Sequence, residues 1–141
     1  MSIRNHAAEQ ASLLFARFAS CASRTAKVPD PSAVHDLRVA IRRLSQCLRV
    51  FHELFPEKEV KRVRARLRRL MKLAADVRNQ DVAIDLLHQA GAAPDSTLLA
   101  RLARRRKQAE RNLTAALAAL KNKDFFGKHR RRLKLAAGPA S

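Results

Sequence analysis

Apolar positions recur at spacings of three and four along most of the chain, the mark of helices with one buried face. In residues 3–27 the pattern is carried by Ala7, Ala11, Leu14, Phe15, Phe18 and Ala22. Val28-Pro29-Asp30-Pro31 interrupts it, because proline cannot continue a helix and biases its predecessor toward extended backbone. A second helix is expected over 33–55, capped by Ser32 and stopped by Pro56, with Leu37, Ala40, Ile41, Leu44, Leu48, Phe51 and Phe55 on its apolar side. A third, long helix is expected over 57–90, on a core stripe of Val60, Val63, Leu67, Leu70, Met71 and Ala74. Gly91-Ala92-Ala93-Pro94 breaks it, and Asp95 or Ser96 caps a fourth helix running to about Asn122. Residues 124–136 read as a short fifth helix. Long amphipathic helices joined by short connections fold as an antiparallel bundle. The expected fold is all-α: four long helices plus a short C-terminal one, in a single domain over 1–136, followed by a loose tail at 137–141.

One segment departs from the pattern. In Asp76-Val77-Arg78-Asn79-Gln80-Asp81-Val82, Arg78 and Asp81 project onto the core stripe, where a charge must be paired. Beyond them the apolar stripe resumes at Val82, Ala83, Leu86 and Leu87, rotated by more than a quarter turn. A kink or change of packing partners is expected there. Arg78 pairs with Asp81 or reaches toward the start of the second helix.

Composition supports helices over a sandwich or barrel. Apolar residues make up 47% of 141, with only 3 Gly and 5 Pro, no Tyr or Trp, and Ala, Leu and Arg dominant. No apolar run approaches the ~20 residues of a membrane span, and MSIRNHAAEQ lacks a signal-peptide layout, so a cytoplasmic protein is expected. Cys21 and Cys47 form no CxxC and read as small, reduced core residues. His6, His52, His88 and His129 have no metal-ligand spacing, and no nucleophile–base pattern stands out. No enzyme activity, metal or cofactor is expected.

Charge changes the picture most. The chain carries 30 Lys+Arg against 12 Asp+Glu, a net +18, a field that attracts polyanions. Segments 35–78 and 101–134 each hold 13 of the basic residues, so the charge belongs to the helices rather than to a detachable tail. On the second helix Arg38, Arg42 and Arg49 fall within roughly 60° of His35, away from the apolar face, while Asp36 and Arg43 lie off that stripe. On the third, Lys61, Arg64, Arg68 and Lys72 run beside the core stripe, and Lys58, Arg62 and Arg69 belong to another flank. Like charges at these spacings cost a few tenths of a kcal/mol per pair, and solubility calls for mixed signs rather than rows of one. Rows of phosphate fit such rows: arginine grips phosphate bidentately, lysine acts as a point charge, and a neutral His35 can donate to an oxygen. Single-strand nucleic acid usually takes aromatic stacking platforms, and Phe15, Phe18, Phe51 and Phe55 sit at core spacing.

Val34-His35-Asp36-Leu37-Arg38-Val39-Ala40-Ile41-Arg42-Arg43-Leu44 resembles the opening signature of the CHAD family, the conserved histidine α-helical domain. Val77-Arg78-Asn79-Gln80-Asp81-Val82 is similar to the family's second signature, with Asn79 where the family tends to have Asp and Ala75 where it tends to have Gly. The resemblance implies an all-helical protein that binds inorganic polyphosphate on a basic surface, often at polyphosphate granules. It assigns His35, Arg38, Arg42, Arg43 and Arg78 to that surface. Lys61, Arg64, Arg68, Lys72 and Arg49 join them by stripe position. The family usually has two bundles related by a pseudo-two-fold. Lys128-His129-Arg130-Arg131-Arg132-Leu133 is basic but does not match the second bundle's signature. A single-bundle member, a truncation, and two copies paired as a weak homodimer all remain open, with Val82, Leu86, Leu87 and the Phe125-Phe126 pair as surface for the last. The expected function is non-catalytic polyphosphate binding. The alternatives are a sequence-blind nucleic-acid binder and a basic scaffold docking on an acidic partner.

Overall fold

The structure is a computed structural model describing residues 2–135. It consists of α1 (Ile3–Lys27), α2 (Pro31–Val50), a 3-10 turn at His52–Leu54, α3 (Glu57–Gln89), α4 (Thr97–Asn122) and α5 (Phe125–Arg132), with no strand among the described residues. The all-α bundle is as expected. The expected tail at 137–141 lies outside the described residues.

Local chemistry explains each boundary. Ser2 caps α1 by accepting from the Asn5 N–H at 3.1 Å. Asp30, rather than Ser32, caps α2: its carboxylate accepts from the Ala33 N–H at 2.8 Å, with Pro31 at the first helical position, where its missing N–H is harmless. Ser32 lies inside the first turn and accepts from Arg24 at 3.2 Å.

Helix α2 ends at Val50, five residues before the expected end. Pro56 forces Phe55 into extended backbone (φ −125°, ψ 159°), so the chain reverses through a 3-10 turn, with His52 Nδ1 donating to the Arg49 carbonyl at 2.8 Å. Phe55 is still buried.

Gly91 closes α3 in a Schellman motif. Its φ of 81° suits glycine, and the N–H groups of Ala92 and Gly91 bond the carbonyls of Leu87 and His88. Ser96 caps α4. A second Schellman turn, with Lys134 at φ 58°, ends α5 at Arg132, short of the expected 136.

The helices pack in cyclic order, α1 on α2, α2 on α3, α3 on α4 and α4 on α1, with α5 against α1, α3 and α4. The core runs from Ala7, Ala11, Phe15 and Phe18 through Leu37, Ile41, Leu44 and Leu48 to Val63, Leu67, Leu113 and Leu117. Leu14 and Met71, expected inside, are only half-buried. Cys21 and Cys47 are unpaired, half-buried thiols packed against this core, and burial raises the pKa of both.

Of Phe125 and Phe126, read from the sequence as association surface, Phe125 belongs to the core instead and Phe126 is half-buried against it. The Phe125 ring stacks on Phe15 at 6.1 Å, and Phe126 lies 5.4 Å from Phe18. A short helix has too little apolar surface to hold its place alone, and this aromatic cluster anchors it. Of the other residues assigned to an association surface, Val82 and Leu86 are exposed and Leu87 is half-buried.

Asp81 is buried as the stripe arithmetic requires, but its partner is Arg106 of α4, not Arg78. Arg106 Nε donates to Asp81 Oδ1 at 2.7 Å. One terminal nitrogen reaches Glu110 Oε2 at 2.6 Å, and the other donates to the Pro29 carbonyl at 2.8 Å. One guanidinium thus joins α3, α4 and the α1–α2 connection. No break in α3 accompanies it: the helix runs unbroken through the segment.

Removing one partner of a buried ion pair costs about 3–5 kcal/mol, because the other charge is stranded. Arg106→Ala should therefore lower the melting temperature by on the order of 10 °C. Arg78→Ala should shift it by no more than about 2 °C. Thermal denaturation followed by circular dichroism checks both.

Candidate functional site

The two basic rows border one groove. On α2 the buried residues include Val34, Leu37, Ile41, Leu44 and Leu48, and Arg38 follows at the edge of that face. On α3 the flank carrying Arg62, Arg66 and Arg69 is turned to α5, with which it lines a cleft. The opposite flank, carrying Lys61, Arg64, Arg68, Lys72 and Arg78, is therefore the one beside α2. Burial agrees: Arg38, Arg64 and Arg78 are half-buried, whereas His35, Arg42, Arg49, Lys61, Arg68 and Lys72 are exposed. Three guanidinium stems lie in the α2–α3 groove and the other cations stand along its banks.

The rows keep most of their charge because only one ion pair, Glu57 with Lys61, involves a member of either row. Asp36 is the only acid within α2. Arg24 of α1 holds it at 2.6 Å, on the side away from α3. Glu57 pairs with Lys61 at 3.2 Å, and Glu59 with Arg62 at 2.9 Å. Among the described residues His35, Arg38, Arg42, Arg49, Arg64, Arg68, Lys72 and Arg78 form no ion pair. The Nε atoms of Arg38 and Arg64 are both buried with no hydrogen-bond partner. A buried donor of this kind carries a desolvation cost until an acceptor reaches it.

Not every expected residue joins the groove. Arg43 is exposed and points to the α1 side of α2, where Asp36 also lies, so it stands apart from the rows. Lys61 is at the groove but partly neutralised by Glu57. Arg78 gains weight: Asp81 pairs with Arg106 through Oδ1 and leaves Oδ2 buried without a hydrogen-bond partner, and Arg78, in no ion pair, keeps its charge for the groove.

Two functional-looking features escaped the sequence reading. One is Arg106, lost in the run Arg104-Arg105-Arg106-Lys107. Helical spacing against Asp81 across two helices identifies it, which no local pattern shows. The other is His129, buried on α5 with Nδ1 donating to Glu59 Oε2 at 3.2 Å and its ring against Phe125 at 4.5 Å. A carboxylate only accepts, so Nδ1 carries the proton. Burial lowers the His129 pKa, Glu59 opposes that, and Lys128 and Arg132 add to the lowering.

The fold is an all-helical bundle with an acid-poor groove of histidine, arginine and lysine between two adjacent helices. The comparison with known families is specific: the model described as CHAD domain matches residues 9–141, nearly the entire chain. The chain belongs to the CHAD family. No curated protein and no solved structure matches it. Among the described residues no helix is long and apolar enough to cross a membrane.

The His129 shift has a consequence for stability. A histidine whose pKa is depressed on folding binds fewer protons folded than unfolded, so its contribution is complete above the unfolded value of about 6.5 and is lost as pH falls toward the folded one. Melting temperature should fall on acidification from pH 7.5 to 5.5, and His129→Gln should flatten that part of the profile. An unchanged slope in the variant assigns the pH dependence to other groups.

Proposed function

We propose that this protein binds inorganic polyphosphate, without chemical turnover, along the α2–α3 groove. The observation that carries this reading is the pair of buried, unpartnered Nε donors on Arg38 and Arg64 within two cation rows in which only Lys61 has an acidic partner. A linear phosphate chain repeats its charges along one axis, as the rows do. Arg38, Arg64 and Arg78 supply forked donors at the groove, Arg42, Arg68 and Arg49 supply them along its banks, and Lys72 adds a point charge. His35 lies at the start of the track, one turn into α2. CHAD membership favours the same ligand, and with it an association with polyphosphate granules.

The arrangement of aromatics weighs against single-stranded nucleic acid. Phe15, Phe18 and Phe125 are buried and Phe126 is packed among them, so none offers an open ring for a base. A paired assembly of two copies, joined through the exposed Val82 and Leu86, belongs to this reading only in the presence of a bridging polyanion. Repulsion between two strongly basic copies opposes association without one.

Arg38→Ala/Arg42→Ala should weaken binding of long-chain polyphosphate about 100-fold or more at 0.15 M salt, since charge-assisted hydrogen bonds are worth ~1.5–3 kcal/mol each and ~1.4 kcal/mol is tenfold. The fold should be retained, because neither side chain is in the core. Fluorescence competition among polyphosphate, single-stranded DNA and duplex DNA provides the measurement. Equal affinities for all three would reduce the claim to that of a general polycation.

A further inference from the structure

A second basic site lies on the opposite flank of α3. Arg62, Arg66 and Arg69, at spacings of four and three, form one wall of a cleft of about 650 Å³. Lys128 and Arg132, one turn apart on α5, form the other, and Lys123 closes the end from the α4–α5 connection. His129, buried against Glu59 and Phe125, forms the floor.

Helix geometry sorts the run Lys128-His129-Arg130-Arg131-Arg132 into separate tasks. Arg130 lies over the Phe15 ring at 5.9 Å, and Arg131 pairs with Asp124 at 3.5 Å. Lys128 and Arg132 border the cleft, and with Lys123 they also border a neighbouring one beside Asp124 and Arg131. Glu59 holds Arg62 at 2.9 Å. Among the described residues Arg66, Arg69, Lys123, Lys128 and Arg132 have no acidic partner.

The turn that brings Lys123 to this place is itself costly. Asp124 adopts φ 50°, an uncommon backbone for a non-glycine residue. Its exposed carboxylate lies 2.8 Å from where a Cβ on Gly127 would stand, a contact the side chain can relieve by moving. Aromatic packing holds α5 down on the bundle, and the result is five unneutralised cations converging on one volume.

We propose that this cleft binds a compact oligophosphate: three or more phosphate groups clustered on a small ring or a short chain. The distinction from the α2–α3 groove is one of shape. That groove repeats cations along an axis and suits an extended chain. The cleft gathers them from a helix flank, a turn and a short helix around a volume typical of small-molecule sites. Arg66 and Arg69 supply bidentate donors on one side, and Lys128, Arg132 and Lys123 neutralise the other. The proposal does not rest on polyphosphate binding at α2–α3, because none of its residues is shared with that groove.

Isothermal titration calorimetry on the full chain at pH 7.5 and 0.15 M NaCl tests it, with inositol hexakisphosphate and tripolyphosphate as separate probes. One molecule should bind per chain. Arg66→Ala/Arg69→Ala should weaken binding at least tenfold, and Arg38→Ala/Arg42→Ala less than threefold, with circular dichroism showing both variants folded. Lys128→Ala provides a second variant on the other wall and should weaken binding at least threefold. Tighter binding of the hexakisphosphate assigns a ring scaffold, and tighter binding of tripolyphosphate a short chain; either order supports the site. No binding of either probe, several molecules per chain insensitive to the cleft variants, or equal weakening by the α2 variants would overturn it. Long-chain polyphosphate titrated into the same variants reports separately on the groove.

Discussion

Burying a guanidinium obliges the surrounding structure to supply acceptors in fixed directions, and Arg106 shows how far that obligation reaches. Its three nitrogens are satisfied by Asp81 on α3, Glu110 on its own helix and the Pro29 carbonyl in the α1–α2 connection. Taking such a charge out of water costs several kcal/mol, which only this complete set of partners offsets. Aliphatic packing tolerates sliding between helices; a three-way guanidinium contact does not. Core packing sets the relative heights of α3, α4 and the start of α2, and this contact holds them there, and with them the register of the basic rows on α2 and α3.

The same logic governs where the acids go. In a chain with 30 basic and 12 acidic residues, every carboxylate placed in a structural contact is withheld from the functional surface. Asp81 and Glu110 serve Arg106, Asp36 serves Arg24, and Glu59 serves Arg62 and His129. Asp30 is used as a helix cap. Charge pairing holds the bundle together mainly outside the α2–α3 groove, and the cations left over accumulate on its surface. Stability and anion attraction thus draw on different members of the same basic population.

The two basic surfaces differ in what they can recognise. Along α2 and α3 the cations follow helix axes, and Arg38 and Arg64 keep buried donors without acceptors. Between α3 and α5 the cations converge, because α5 is short and clamped by Phe15 and Phe18. Extended and compact phosphate anions are separated by this geometry rather than by composition, since both surfaces are built from arginine and lysine.

Helix positions could be read from the sequence with little loss, because periodicity, proline and glycine act over a few residues. The bounds of α1 and the core stripe of α3 follow from spacing alone, and so do the rows on α2 and α3. Where two local signals compete, the structure departs from the simpler expectation. Asp30 displaces Ser32 as the cap, and α2 ends at Val50, six residues before Pro56. The family signature around His35 and Arg38 was likewise visible, being contiguous. The partner of Asp81, the fate of Phe125 and the cleft at α5 were decided only by the tertiary structure. Arg78 and Arg106 are equivalent as residue types, and one lies three residues from Asp81 while the other lies 25 away. Nothing along the chain ranks them, because ion pairing depends on which helices meet and at what height, and those are set by packing of the whole core.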